Sequence, residues 1–196
     1  MSESGFSFVS MTLLERALIE VVTVLESLQI DHMVIGGIAN AVWGEARATL
    51  DVDVSVAVDE AQIPDTAAAL GLRFRVLIDD AARFIRETRV LPLETTGGVR
   101  IDVIFALLPF ELEAIDRARR VVLAGRDVKV VSPEDLILMK IISERTRDVA
   151  DAEAITRRRR DDLDVAYLEP RIRELASLLD KPEIVTKWET WRSGTA

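Results

Sequence analysis

The chain has 196 residues, enough to bury a core in one medium domain, and 49% of them are hydrophobic, which excludes a disordered chain. Its net charge of -9 argues against a general polyanion-binding surface, and the lack of cysteine excludes disulfides, thiolate metal sites and thiol nucleophiles. The opening SESGFSFVS has neither the basic stretch nor the long apolar run of a secretion signal, and no apolar run approaches a membrane span, so a soluble, cytoplasmic protein is expected.

Met11 to Ile30 repeats apolar residues at helical spacing (Leu14, Leu18, Val21, Val22, Leu25, Leu28), which predicts an amphipathic helix with Thr12 as its cap. A short apolar strand, Met33-Val34-Ile35, then breaks on Gly36-Gly37. A brief helix over Ile38 to Trp43 follows and closes near Gly44. Leu50 to Val58 alternates with period two, so Asp51 and Asp53 point one way while Val52 and Val54 point into the protein. Two carboxylates on one face of a strand repel each other, and in a compact site they ask for a cation between them.

Glu60 to Leu70 reads as a helix stopped by Gly71. A weak strand over Arg73 to Leu77, a helix over Asp79 to Glu87 and a strand interrupted by Pro92 come next. After the turn Thr95-Thr96-Gly97-Gly98, the strand Val99 to Leu107 carries Asp102 alone among apolar neighbours, an acid that is expensive to bury without a partner. Phe110 to Arg119 reads as a helix, and Val121-Val122-Leu123 and Val128 to Val131 as a hairpin about Gly125-Arg126-Asp127. From Ser132-Pro133-Glu134-Asp135, a helix start with Ser as cap and Pro in the first turn, the rest of the chain reads as helical. The expected organisation is α+β: a small mixed sheet with flanking helices over residues 1–131, followed by a C-terminal helical lobe over residues 132–196.

Carboxylates on rigid strands suit a divalent ion that keeps open positions for phosphate oxygens, and a glycine pair at a helix start lets backbone N–H groups approach an anion. The pair Gly36-Gly37, a short helix, Arg47-x-Thr49, Asp51-x-Asp53 and Asp102 on a later strand together resemble the nucleotidyltransferase superfamily that shares the DNA polymerase beta palm. Within it the pattern is most similar to the AbiEii-type nucleotidyltransferases of toxin-antitoxin systems, which include the MenT toxins. Thirteen residues separate Gly37 from Asp51, and Lys140 followed by Arg147-Asp148-Val149-Ala150-Asp151 extends the resemblance.

The resemblance implies Mg2+ on Asp51, Asp53 and Asp102, with Asp102 also activating the attacking hydroxyl. It implies an NTP held by Gly36, Gly37, Arg47 and Thr49, with Lys140 on phosphate or base. Asp148 and Asp151 would position Lys140 or close the pocket. The family's second glycine is often serine, and Gly37 departs from that pattern. The implied reaction moves an NMP from an NTP to a macromolecular hydroxyl, either the 3′ end of tRNA or a protein, with a cognate antitoxin or toxin as partner. A transferase that adenylylates its partner protein and a non-catalytic palm module are the alternatives.

Other residues carry plainer expectations. His32 is expected at the surface, Trp43 in the core, Trp188 and Trp191 as anchors of a terminal helix, and Arg157 to Arg160 as a solvated, self-neutralising helix end. Arg73, Arg75, Arg83, Arg86 and Arg89 are the candidate contacts for tRNA.

Overall fold

A computed structural model describes residues 11–194 of the chain. Its elements in chain order are α1 (Leu13–Ser27), β1 (Asp31–Val34), α2 (Gly36–Trp43), β2 (Asp51–Ala57), α3 (Ile63–Gly71), β3 (Arg75–Val76), α4 (Ala81–Thr88), β4 (Val90–Glu94), β5 (Arg100–Ala106), α5 (Pro109–Asp116), β6 (Arg119–Leu123), β7 (Arg126–Val130), α6 (Pro133–Ile141), α7 (Thr146–Arg158), α8 (Val165–Leu178) and α9 (Glu183–Ser193). The fold is the expected mixed α and β arrangement, with the strands before residue 131 and helices after it.

Seven strands form one mixed sheet in the order β3-β4-β5-β2-β1-β7-β6. The centre is a parallel pair: β2 lies beside β5 with Val52 against Ile101, Asp53 against Asp102 and Val54 against Val103. Antiparallel β1 flanks β2 on the other side. Alternation along these strands sorts the side chains into two faces. One holds Val52, Val54, Val56, Ile101, Val103 and Phe105, none of which is exposed to solvent. The other holds Asp51, Asp53 and Asp102, each half-buried.

The apolar face needs a cover, and α1 provides much of it. Thr12 caps the helix by accepting from the Glu15 amide while Glu15 reaches back to the Thr12 amide, and Val21, Val22 and Leu25 are fully buried. Burying one such side chain contributes roughly 1.5–3 kcal/mol. Helices α3 and α4 cover the same face at the β3–β5 side, leaving an apolar opening of about 880 Å3 floored by Phe105.

The helical lobe is fastened to the sheet through buried charge. Glu134, with no solvent exposure, accepts from Arg119 at 2.9 and 3.0 Å and from the Asp164 amide at 3.0 Å. Asp135 accepts from the Tyr167 hydroxyl at 2.5 Å and from Arg117 Nε at 3.2 Å. Arg117 and Arg171 stack over the Tyr167 ring at 3.5 and 3.7 Å. The predicted helix through Arg119 in fact ends at Asp116, and Arg119 begins β6. Trp188 and Trp191 are buried, as anchors of the last helix should be.

Candidate active site

The site begins at the end of β1. Ile35 is extended and its amide donates to the Asp53 carbonyl at 2.9 Å, which brings the start of α2 against β2. Gly36 sits at φ +63°, and a Cβ there would lie 1.9 Å from Asp53 Oδ2, so conformation and space both require glycine. A Cβ on Gly37 would meet Thr49 Oγ1 at 2.4 Å. Both glycines lie in the first turn of α2, Gly36 in the left-handed conformation, and the carboxylate and the threonine pack directly on them.

Asp51 and Asp53 share one face of β2, and Asp102 stands beside Asp53 in register on β5. Asp53 shows the electrostatic cost. Burial, then the charges of Asp51 and Asp102, push its carboxyl up to about 6, while the Gly37 amide and the Lys140 charge pull the other way. Asp51 accepts the Thr49 hydroxyl at 2.9 Å. Asp102 is engaged by Arg100, whose Nε stands 3.0 and 3.2 Å from its two oxygens. Among the described residues no three or more acids or imidazoles are gathered as a ready ligand set. The residues nonetheless fit a divalent cation: hard oxygens on one strand whose charged forms repel are what such an ion relieves, with Asp102 able to join on leaving Arg100.

Beside the carboxylates stands a largely buried network of two cations and two acids. Lys140, 6% exposed, donates to Asp148 at 2.9 Å and to Asp151 at 2.8 Å, and Arg47 reaches the same Asp151 oxygen at 3.2 Å. Burial alone would raise the Asp148 carboxyl, but the Lys140 hydrogen bond and charge, with Ser143, hold it below its ordinary value. Lys140 thus faces inward on its helix, and Arg47 pairs across the fold with Asp151. Helix α7 carries Asp148 and Asp151 at one end and grips α2 at the other. Arg158 donates to the Gly44 carbonyl at 2.8 Å and Arg159 to those of Val42 and Trp43 at 3.2 and 3.4 Å. Two arginines of the basic run thus cap the C-terminal end of α2, where cations are favoured.

Gly36, Gly37, Thr49, Asp51, Asp53 and Asp102 therefore meet at the α2–β2–β5 junction, and Arg47, Lys140, Asp148 and Asp151 form one adjoining network. The plainer reading of Asp102, a pairing with Arg100 two residues away on the same strand face, does occur. His32 is not at the surface: it is 4% exposed, with Nδ1 2.9 Å from the Ile30 carbonyl. The five arginines do not make one basic patch. Arg75, Arg83 and Arg89 pair with Glu94, Glu87 and Glu111, while Arg86 lines the opening on the apolar face and Arg73 a groove between α1 and α3.

Comparison with solved structures places this fold among nucleotidyltransferases. The solution structure of the antibiotic-resistance factor ANT(2″)-Ia is similar at 16% identity and TM-score 0.56, over 85% of this chain and 94% of that one. The lincomycin-bound lincosamide antibiotic adenylyltransferase LnuA is similar at 13% identity and TM-score 0.51, over 74% and 98%. An antigenic nucleotidyltransferase-like protein from Paracoccidioides brasiliensis aligns at 18% identity and TM-score 0.49, over 89% and 91%. No curated protein matches the chain in sequence. The family described as nucleotidyltransferase of unknown function, DUF6036, matches residues 14–192, and with the carboxylate face of β2 and β5 set against the start of α2, this chain belongs to that family of nucleotidyltransferases.

Proposed function

We propose that the chain transfers a nucleoside monophosphate from an NTP to an acceptor hydroxyl, with Asp51 and Asp53 holding Mg2+ and Asp102 completing the set. The observation that carries this reading is the gathering of three carboxylates on one sheet face, where burial first and then the charges of Asp51 and Asp102 push Asp53 up to about 6. A bound divalent ion would supply charge neutralisation at the phosphates. The chain's own residues do the rest. The first turn of α2 offers backbone N–H groups to the triphosphate, that of Gly37 on release from the Asp53 carboxylate. Lys140 and Arg47, held by Asp148 and Asp151, present fixed positive charge beside it. The acceptor oxygen attacks the α-phosphorus, the bond to the β-phosphate oxygen breaks, and pyrophosphate leaves. The hydroxyl proton passes to Asp102, freed from Arg100.

For the acceptor we favour the 3′ end of tRNA, in a cytoplasmic toxin of the AbiEii or MenT kind neutralised by a cognate antitoxin. Supporting it are the glycine pair, the Arg47-x-Thr49 and Asp51-x-Asp53 spacing and the Lys140, Asp148, Asp151 group, here joined as one network. In that reading residues 1–131 are the palm and residues 132–196 a lobe closing the nucleotide cleft. Among the described residues no helix is long and apolar enough to cross a membrane.

A second reading, transfer to a small cationic hydroxyl compound, is favoured by the acid pairing of Arg75, Arg89 and Arg100, which neutralises three of the cations on the sheet strands. Antibiotic adenylyltransferases share the fold. Incubation with each α-labelled NTP, Mg2+, and total tRNA, cell lysate or aminoglycosides, beside Asp51→Ala, separates these readings. Label on RNA supports the first, label on a small molecule the second, and label on a protein a partner-modifying enzyme. No label with any acceptor overturns all three.

A further inference from the structure

We propose that Thr49 is the positioning residue for Asp51, and that residue 37 is glycine because the Thr49 hydroxyl occupies the space its side chain would fill. This inference rests on the metal-binding reading above. Three contacts carry it. Thr49 Oγ1 stands 2.9 Å from Asp51 Oδ1. An ideal Cβ on Gly37 would fall 2.4 Å from that same Oγ1 and 2.7 Å from Thr49 Cβ. A Cβ contact under 3.0 Å forces something to shift, and the nearest atoms here belong to a short β-branched side chain with one strongly restricted torsion.

The hydroxyl has a single proton. Asp51 is an acceptor with no donor of its own, so the Thr49 proton goes to the carboxylate, and Thr49 Oγ1 lies 3.4 Å from the Asp51 carbonyl as well. That bond selects one orientation of Asp51 on a face where its charge and that of Asp53 repel. Thr49 thus acts through Asp51, not on the nucleotide. The first turn of α2 and the chain leading into β2 become an interlocked pair: Gly36 is shaped to Asp53 and Gly37 to Thr49. Each carboxylate of β2 is seated by one of the two glycines, Asp53 directly and Asp51 through the threonine.

The test is Mn2+ binding to the full chain without nucleotide, followed by electron paramagnetic resonance, with thermal unfolding in EDTA as the control. Thr49→Val keeps the shape and removes the proton. It should weaken Mn2+ binding roughly tenfold or more, the size expected from losing a hydrogen bond to a charged acceptor, while unfolding in EDTA stays as in wild type. Thr49→Ser restores the hydroxyl and should bind as wild type. Gly37→Ala keeps both carboxylates and the backbone amide that meets Asp53, and its added Cβ meets Thr49 first, yet it should weaken Mn2+ binding to a similar degree by displacing Thr49. The double variant Gly37→Ala, Thr49→Gly relieves the clash and should still bind weakly, since the hydroxyl is gone. Wild-type affinity in Thr49→Val would overturn the positioning role and leave the metal reading standing. A wild-type chain that binds no more Mn2+ than Asp51→Ala would overturn the metal reading and this inference with it.

Discussion

Replacing Asp53 with asparagine should make the metal-free protein more stable at neutral pH. Burial and the charges of Asp51 and Asp102 raise the Asp53 carboxyl from 3.8 to about 6. At ~1.4 kcal/mol per pKa unit this corresponds to about 3 kcal/mol of strain in the folded state once the group is charged. Because the folded value is the raised one, the folded chain is favoured below the ordinary pKa, and that advantage is lost as pH rises through about 6. The asparagine side chain would keep an acceptor for the Gly37 amide and carry no charge. Thermal unfolding in EDTA at pH 7.5 should therefore show a melting temperature roughly 6–12 °C higher in Asp53→Asn than in wild type, at ~2–4 °C per kcal/mol for a chain of this size. At pH 4.5, where wild-type Asp53 is neutral when folded, the gap should narrow to about a third, and it should close below the ordinary pKa of 3.8. Adding Mg2+ at pH 7.5 should stabilise wild type and leave Asp53→Asn unmoved. An Asp53→Asn protein no more stable than wild type at pH 7.5, or a gap independent of pH, would refute the crowding on which the site is built.

Three further outcomes follow from particular contacts. Gly36→Ala should cost much more than Gly98→Ala: both glycines have positive φ, but a Cβ at Gly98 meets nothing within 4 Å, whereas at Gly36 it lies 1.9 Å from Asp53 Oδ2. Urea titration should show about 1–2 kcal/mol for Gly98→Ala, with at least a further ~1–3 kcal/mol for Gly36→Ala, and equal losses would contradict the packing of Asp53 on Gly36. Lys140→Ala leaves buried Asp151 and half-buried Asp148 without their shared donor and should cost about 3 kcal/mol at pH 7. Because Asp148 is held below its ordinary 3.8, this stabilisation is present above that value and is lost as pH falls through the lowered one, so wild type and variant should converge in acid. Thr12→Ala removes the cap of α1 and should lower stability by ~1 kcal/mol with Mg2+ binding unchanged, measured by urea titration and Mn2+ resonance.

Features set by neighbours in sequence were legible before the structure. The spacing of Leu18, Val21, Val22 and Leu25 with Thr12 ahead gives α1, and Ser132 with Pro133 gives the start of α6, because capping and amphipathicity act within one or two turns. Alternation in Asp51-Val52-Asp53 gives the shared face of the two acids, since a strand fixes side-chain direction locally. Contacts between distant segments were not legible. Lys140 sits among apolar residues and reads as an open helix position until α7 folds back to bring Asp148 and Asp151 to it. Arg47 meets Asp151 across 104 positions, and no local rule chooses that partner over Glu45. The run Arg157 to Arg160 reads as solvated, yet Arg158 and Arg159 find the open carbonyls at the end of α2, which exist only once α7 lies along it. His32 shows the same limit, since its burial depends on neighbours that the strand sequence does not name.

The most direct test of the central claim is pyrophosphate release from an NTP supplied with an acceptor fraction, by wild type, Asp51→Ala and Asp53→Ala, each with Mg2+ and with EDTA, after circular dichroism shows all three folded. Release by wild type in Mg2+ alone, abolished in both variants and in EDTA, is the predicted result. Release that persists in a folded Asp51→Ala or Asp53→Ala chain would contradict the claim that these two carboxylates hold the metal for nucleotidyl transfer.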